Sequence, residues 1–167
     1  VSVSALGTED AIVIYQLNKK LGTKFTPVVA ADGSNAGNAD LLGGHVDLIS
    51  NNVAAVNSFV QDNQMKPLVV FNETRSVFWP DVPTYEEIMG EPMNFHSARG
   101  IMMPKGGDPE VVKILIDACK NAITNPKHIE EIKALGLETY YRDPDGFYKM
   151  FKEGEDVVLS LKEELGW

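Results

Sequence analysis

The sequence predicts an α/β fold with a mostly parallel sheet, and three observations support this prediction. Segments typical of strands alternate with segments typical of helices over residues 1–71, which favours parallel strands covered by helices on both faces. Within 39–52 the end of a short helix, a Gly43-Gly44 stop, a buried apolar strand and a turn follow one another. Asn51 and Asn52 then stand at the carboxyl end of that strand, where open α/β sheets bind ligands.

The first half of the chain contains the repeating strand–helix pattern. Thr8 is a good N-cap, Glu9 and Asp10 suit the positive end of a helix dipole, and Gly22 ends the helix that they open. We predict helices at 9–20, from about 35 to Gly43 and at 52–62, and strands at 1–5, 25–30, 46–50 and 67–71.

The second half has a different pattern. A proline-braced loop, 79–84, leads into a short helix at 84–89 and a strand around 94–103. Three later helices each begin with a capping side chain followed by proline, which suits the first helical position because its missing N–H is not needed there. These starts are Asp108-Pro109, Asn125-Pro126 and Asp143-Pro144; they open helices at 109–124, from 126 and at 144–165, with a short strand at 137–141 between the last two.

Composition excludes several classes of protein. The net charge of −9 over 167 residues argues against a nucleic-acid partner, whose phosphates require a basic surface. No stretch approaches the ~20 apolar residues of a membrane span. Cys119 falls on an apolar helix face and is interpreted as a small core residue. The chain opens within a predicted strand, without a leader, so we expect a processed or truncated product.

Residue patterns typical of enzymes are missing from the sequence. His45, His96 and His128 lie far apart and show no metal-ligand spacing. The serines lack the G-x-S-x-G elbow, and neither glycine-rich nucleotide motif occurs. We therefore expect no catalytic residue, no metal and no cofactor.

Three turn-to-helix junctions carry the candidate binding chemistry. Each follows a predicted strand and opens a helix, so each presents backbone N–H groups at the positive end of a dipole. Ordinary helix capping explains any one of them, but parallel topology places all three at one edge of the sheet. The candidate ligand-binding residues are Gly7, Thr8 and Asp10 in the first junction, Gly33, Ser34 and Asn35 in the second, and Asn51 and Asn52 in the third.

The order of these features resembles the receptor component of tripartite tricarboxylate transporters, the Bug-type extracytoplasmic solute receptors. The resemblance covers nearly the whole chain. It is carried by Gly7-Thr8, Asp40-Leu41-Leu42-Gly43-Gly44-His45-Val46-Asp47, Asn52, Pro80-Asp81-Val82-Pro83-Thr84, Arg99-Gly100 before Pro104-Lys105-Gly106, and the stretch from Pro126 to Leu135-Gly136.

This resemblance implies a type II periplasmic-binding-protein fold with two Rossmann-like lobes around a solute cleft. Residues 1–95 resemble the second lobe. Residues 96–167 resemble the hinge-crossing strand and the C-terminal helical segment of the first lobe, whose N-terminal part is absent. The resemblance also implies lobe closure near 94–104. The apolar faces of 109–124 and 129–135 would lack their cover, which predicts self-association.

One departure from the family pattern concerns the charge at the second junction, on the edge of the sheet that would face the solute. The family usually has Val-Pro-Tyr-Lys/Arg-Gly-Gly where this chain reads Val29-Ala30-Ala31-Asp32-Gly33-Ser34, so a cation becomes Asp32. A like charge opposes an anionic solute. An ammonium group on the solute would instead pair with Asp32 or Glu9. Arg99, in the crossing strand, is expected to pair with a protein carboxylate or to contact the ligand.

We therefore predict a non-enzymatic periplasmic receptor that captures a small organic acid, either a di- or tricarboxylate or an amino-acid-like solute, and delivers it to a membrane permease. One alternative is the effector-binding domain of a cytoplasmic regulator with the same lobe architecture. A small α/β enzyme is the other, and the lack of an acid–base pair counts against it.

Overall fold

The computed structural model describes residues 1–31 and 33–166, and the backbone alone of Ser34. The chain divides into two compact units. Unit 1 comprises residues 1–97 and 157–167, and unit 2 comprises residues 98–156. No helix in the described ranges is both long and apolar enough to cross a membrane. The predicted division at 95/96 into lobes stays a prediction.

A small parallel sheet organises unit 1. Strand β1 (Ser2–Val3) pairs in parallel with β2 (Val28–Val29), and Ser2 also forms a parallel bridge with Ile49. Backbone bonds join the segments: Val28 N donates to Val1 O at 2.8 Å, and Ser2 N donates to Leu48 O at 2.9 Å. Because β1 is bonded on both sides, three parallel segments run together, as the alternating pattern predicts.

The strands are shorter than the sequence predicts. Within the described residues, 46–50 contributes the Ile49 bridge and 67–71 a bridge from Val70 to Thr84. The predicted strands at 94–103 and 137–141 were wrong, since neither stretch is assigned to a strand. Apolar runs indicate the burial a strand needs, whereas pairing depends on a partner distant in sequence.

The helices follow their predicted boundaries closely. They are α1 (Glu9–Leu21), α2 (Ser34–Leu42), α3 (Val53–Gln61), α4 (Tyr85–Met89), α5 (Pro109–Ile123), α6 (Pro126–Ala134) and α7 (Pro144–Ser160). Gly22 ends α1 at φ 66°, and after α2 it is Gly44 that takes the left-handed conformation, at φ 72°. Helix α7 ends five residues before the predicted position 165.

The three helix starts in which a proline follows the capping residue are capped as predicted. Asp108 accepts a hydrogen bond from Glu110 N, and Asn125 accepts one from Lys127 N. Asp143 Oδ1 accepts from Gly146 N at 2.8 Å. These side chains satisfy N–H groups that a helix leaves unbonded in its first turn.

The core of unit 1 consists of two apolar clusters. One joins Val3 of β1 to Ala11, Val13 and Ile14 of α1. The second joins Val56, Val70 and Trp79 and includes residues of the proline-braced loop. The loop is fixed at its end by a capping box, in which Thr84 and Glu87 exchange side-chain-to-backbone bonds. The first cluster thus packs α1 against β1, and the second packs α3 against Val70 and the loop.

Unit 2 buries much less of its apolar surface. Neither α5 nor α6 contains a buried residue, and Cys119, predicted to be a core residue, is only half-buried. Large apolar side chains are exposed on these helices, including Val111, Ile114 and Ile129, and so is Leu135 directly after α6. Unit 2 therefore presents an extensive apolar surface.

Candidate functional site

The three predicted junctions begin at the same edge of unit 1. Each follows a segment of one parallel arrangement: the first follows β1, the second follows β2, and the third follows Ile49. Parallel segments end at a common edge, so the helix starts at Glu9, Ser34 and Val53 are brought to one side. The three junctions thus begin at one edge of the sheet, as parallel topology predicts. Their contact with a ligand stays a prediction.

A narrow depression lies at this edge. It has no room for a water molecule in this conformation. All three segments contribute to its wall, which is formed by Ser2, Val3, Ser4, Gly33, Gly37, Ile49, Ser50 and Asn51. Of the predicted site residues, Gly33 and Asn51 line it directly.

The first junction is occupied by the chain's own carboxylate. Asp10, only 8% exposed, accepts hydrogen bonds through Oδ2 from Ser4 N at 2.5 Å and from Ser4 Oγ at 2.7 Å. Its Oδ1 accepts from Ala11 N at 3.1 Å and contacts the Thr8 hydroxyl. Asp10 therefore takes donors that an anionic ligand would otherwise engage.

Thr8 acts differently from the predicted N-cap. Its side chain makes no capping bond to α1. The Thr8 hydroxyl instead lies 2.6 Å from Ala5 O and beside the Asp10 carboxylate. Thr8 thereby closes the turn that includes exposed Gly7, and this local bonding explains why a good capping residue stands here.

The second junction requires glycine. Gly33 has φ 70° and ψ −154°, a conformation essentially restricted to glycine. Asn35 is exposed on the first turn of α2. Asp32 and the side chain of Ser34 lie outside the described residues, so the predicted charge reversal at Asp32 stays a prediction.

The third junction is held by a network of amides. Asn51 Oδ1 accepts from Asn52 N at 2.8 Å, and Asn51 Nδ2 donates to Asn38 Oδ1 at 3.2 Å. Asn38 Nδ2 in turn donates to Ala55 O at 3.0 Å. Asn52 is exposed at the N-cap of α3. The network fixes Asn51 in the wall of the depression.

Arg99 is assigned to unit 2 and is not among the residues that line the depression. Its neighbours in the predicted crossing strand are exposed, with Ile101 79% and Met102 77% exposed. The two roles predicted for Arg99, pairing with a protein carboxylate or contacting the ligand, stay predictions.

The predicted set of site residues leaves out several polar or small residues of this edge, among them Ser2, Ser4, Gly37, Asn38 and Ser50. A β-carbon added to Gly37 would lie 2.7 Å from Ser2 Oγ and 3.2 Å from Ile49 Cδ1, so the glycine permits close contact of α2 with the sheet. Asn38 is buried one position later. The available signal was Gly37-Asn38, a glycine and an amide side by side inside a short predicted helix, away from the junctions.

Other charged groups of unit 1 lie outside the depression. Arg75 Nε donates to both Glu87 carboxylate oxygens, at 3.0 and 2.9 Å, and this pairing, with a backbone bond from Thr84, lowers the pKa of Glu87. Half-buried His96 lies 4.0 Å from Glu73 through Nε2. In the described part of the chain no three His, Cys, Asp or Glu side chains are grouped as a metal site.

Comparison with known proteins gives a family match over nearly the whole chain. The family profile "Tripartite tricarboxylate transporter family receptor" matches residues 2–166. The "UPF0065 protein in gbd 5'region" of Cupriavidus necator is 30% identical over 93% of this chain and 46% of that protein. Protein BugT of Bordetella pertussis is 27% identical over 86% of this chain and 44% of BugT. The chain thus spans less than half the length of these two curated relatives.

Solved structures share the fold. A TctC solute binding protein from Polaromonas superposes with a TM-score of 0.85 at 23% identity, covering 98% of this chain and 56% of that one. The structure described as R. palustris Rpa4515 with adipate gives 0.76 at 21% identity, covering 99% and 55%. The periplasmic binding protein BugD gives 0.70 at 21% identity, covering 99% and 56%. The predicted α/β, periplasmic-binding-protein-like fold is confirmed.

Proposed function

Because the chain belongs to the receptor family of the tripartite tricarboxylate transporters, we propose that it is part of an extracytoplasmic receptor that captures a small organic acid and delivers it to a membrane permease. The family consists of solute-binding receptors, and its structural neighbours include a periplasmic binding protein. Periplasmic location and permease docking of this chain are parts of the proposal.

The observation that carries the proposal is the common edge of the three junctions. Gly33 and Asn51 of these junctions line one depression together with Ser2, Ser4, Gly37 and Ser50, so its wall consists largely of backbone and small polar side chains. Closely packed helix starts of this kind hold a polar solute through directed hydrogen bonds.

The solute class follows from the family and from one neighbour. The R. palustris protein is described with adipate, a dicarboxylate. A small organic acid, whether a di- or tricarboxylate or an amino-acid-like molecule, is therefore the class proposed here. We further propose that the solute is released unchanged, as a receptor requires.

The remainder of the cleft belongs, in this proposal, to the part of the relatives that this chain does not span. That part would also cover the exposed apolar side chains of α5 and α6, such as Ile114 and Ile129. A second lobe supplied in this way allows closure around the solute.

Scanning fluorimetry of the chain with adipate, succinate, citrate and glutamate tests the proposal. Each acid is added to the chain alone and to the chain mixed with the N-terminal half of the Cupriavidus relative. We expect at least one acid to raise the unfolding midpoint saturably. A ligand at a concentration 100 times its Kd stabilises the folded state by about 2.7 kcal/mol.

Sodium chloride at matched ionic strength is the control for general salt effects. Recovery of the chemically unchanged acid, followed by NMR, separates a receptor from an enzyme. Failure of all four acids to shift the midpoint, with and without the added half, would contradict the proposed function.

A further inference from the structure

The depression of unit 1 contains a buried hydroxyl that bonds none of the described residues. Ser2 is 0% exposed, and its Oγ makes no hydrogen bond within residues 1–31 and 33–166, the Ser34 side chain apart. A buried hydroxyl in this state loses its bonds to water without replacement, which destabilises the folded chain. Ser2 Oγ is packed closely against Gly37, where an added β-carbon would lie only 2.7 Å away. Ser2 is thus an unused donor and acceptor at the floor of the depression.

The charge beside this floor is negative. Ser4 lines the depression and gives both its N–H and its hydroxyl to Asp10. Asp10 also takes Ala11 N, so it already occupies these donors at the start of α1. A second carboxylate placed here would meet a like charge without gaining these donors.

From these two observations, and resting on the proposed function, we infer that the group of the solute that enters this depression is a hydroxyl or an ammonium rather than a carboxylate, and that it bonds Ser2 Oγ. The solute is then a hydroxy or amino acid, whose carboxylate is held elsewhere. Asp10 excludes dicarboxylates, and Ser2 supplies the bond. Entry requires the wall to widen, and Ser50 lies in the irregular segment before α3, outside the amide network that holds Asn51.

Matched acids of one length test this inference. Succinate, 4-hydroxybutyrate and 4-aminobutyrate share a four-carbon chain and one carboxylate, and differ in the group at the other end. Adipate, 6-hydroxyhexanoate and 6-aminohexanoate repeat the series at a greater length. Amide resonances of Ser2, Ser4 and Ala11 in the 167-residue chain are followed by NMR titration.

In the native chain we expect the hydroxy or amino member of at least one series to shift these amides, with Kd at least fivefold below that of the matched dicarboxylate. Asp10→Ser frees the amides of Ser4 and Ala11, so the preference should reverse toward the dicarboxylate. A native chain that prefers the dicarboxylate, or an unchanged preference in Asp10→Ser, would overturn the inference.

Ser2→Ala provides a second variant that does not depend on the stability of Asp10→Ser. Removal of an unpartnered buried hydroxyl should maintain or raise the unfolding midpoint while weakening binding about three- to tenfold. Ser58→Ala, on the exposed side of α3, is the matched control and should change neither.

Equal affinity of Ser2→Ala and the native chain would overturn the role of Ser2. The proposed function fails in a different way: none of the six acids then shifts any resonance in the native chain or in either variant, and the inference falls with it.

Discussion

The side chain of Asn38 joins α2, α3 and the third junction. It is 3% exposed, donates to Ala55 O and accepts from Asn51 Nδ2. Asn38→Ala leaves both partners without their bond, so we expect the free energy of unfolding to fall by about 1–3 kcal/mol. Urea unfolding followed by circular dichroism measures this change.

Exposed Asn35, on the same helix, is the matched control, and Asn35→Ala should alter the unfolding free energy by less than about 0.5 kcal/mol. Equal effects of the two substitutions would show that the amide network does not stabilise the third junction.

Glu87 provides a test of pH dependence. Hydrogen bonds from Arg75 and from Thr84 N lower the pKa of Glu87. The Glu87 carboxylate therefore binds a proton less readily in the folded state than in the unfolded state. The resulting stabilisation is complete above the ordinary pKa of a glutamate and is lost as pH falls through the lowered value. Glu87→Gln should therefore lower the unfolding midpoint at pH 7 and have a diminishing effect as the solution is acidified.

Neighbouring Glu86 is exposed on the same short helix and is the control for a general loss of charge. Midpoints measured from pH 7 to pH 3 distinguish the two residues. A midpoint difference between Glu87→Gln and the native chain that stays constant over this range would contradict the assigned pairing.

At the scale of elements, substitution of two helical glycines by alanine should change the stability of the chain in opposite directions. A methyl group on Gly37 would approach Ser2 Oγ and Ile49 Cδ1 too closely, whereas one on Gly154 of α7 meets nothing within 4 Å. Gly37→Ala should destabilise the chain by about 1–2 kcal/mol, because overpacking outweighs the gain in helix propensity. Gly154→Ala should stabilise it by about 0.5–1 kcal/mol.

Thermal unfolding of both variants checks this pair, and each serves as the control of the other. An increase in stability for Gly37→Ala would mean that α2 moves away from β1 at little cost. Such a result would remove the packing reason for glycine at this position.

The sequence predicted the helices better than the strands because helix boundaries depend on residues that are close in sequence. Asp108, Asn125 and Gly22 act at helix ends through bonds to residues a few positions away. The strand predicted at 137–141 depended on a distant partner, and Tyr141 there lies under Lys120 in a cation–π contact instead.

The sequence predicted which edge of the sheet the three junctions share, but not the bonding within it. Small polar residues at Gly33 and Asn51 indicated the correct edge of the sheet, because parallel topology fixes where strand ends meet. The occupation of the first junction by Asp10 depends on side-chain geometry, which residue type alone does not specify. Ser2 was passed over because a strand serine carries no pattern.

For the whole molecule, the apolar surface of unit 2 predicts association of the chain with itself. Ile114 is 66% exposed on α5, and Leu135 is exposed next to α6. Burial of such side chains is favourable, so we expect the mean mass in sedimentation equilibrium to rise with concentration. Ile114→Lys should weaken this association at least tenfold.

Asn121→Lys introduces the same charge at an exposed polar position of α5 and should leave the association unchanged. A native chain that stays monomeric at millimolar concentration would contradict the prediction. So would an Ile114→Lys variant that associates as strongly as the native chain.

Unit 1 is interrupted in sequence, since the chain leaves it after 97 and returns at 157. The returning segment is held by fully buried Leu161 and by Lys19, whose Nζ donates to Ser160 O at 2.5 Å and pairs with Glu164 at 3.1 Å. Residues 98–156 therefore form one covalent loop that unit 1 closes. A protease cut inside that loop leaves two fragments that stay together until denatured, and doubling its length costs only about 0.6 kcal/mol of closure entropy.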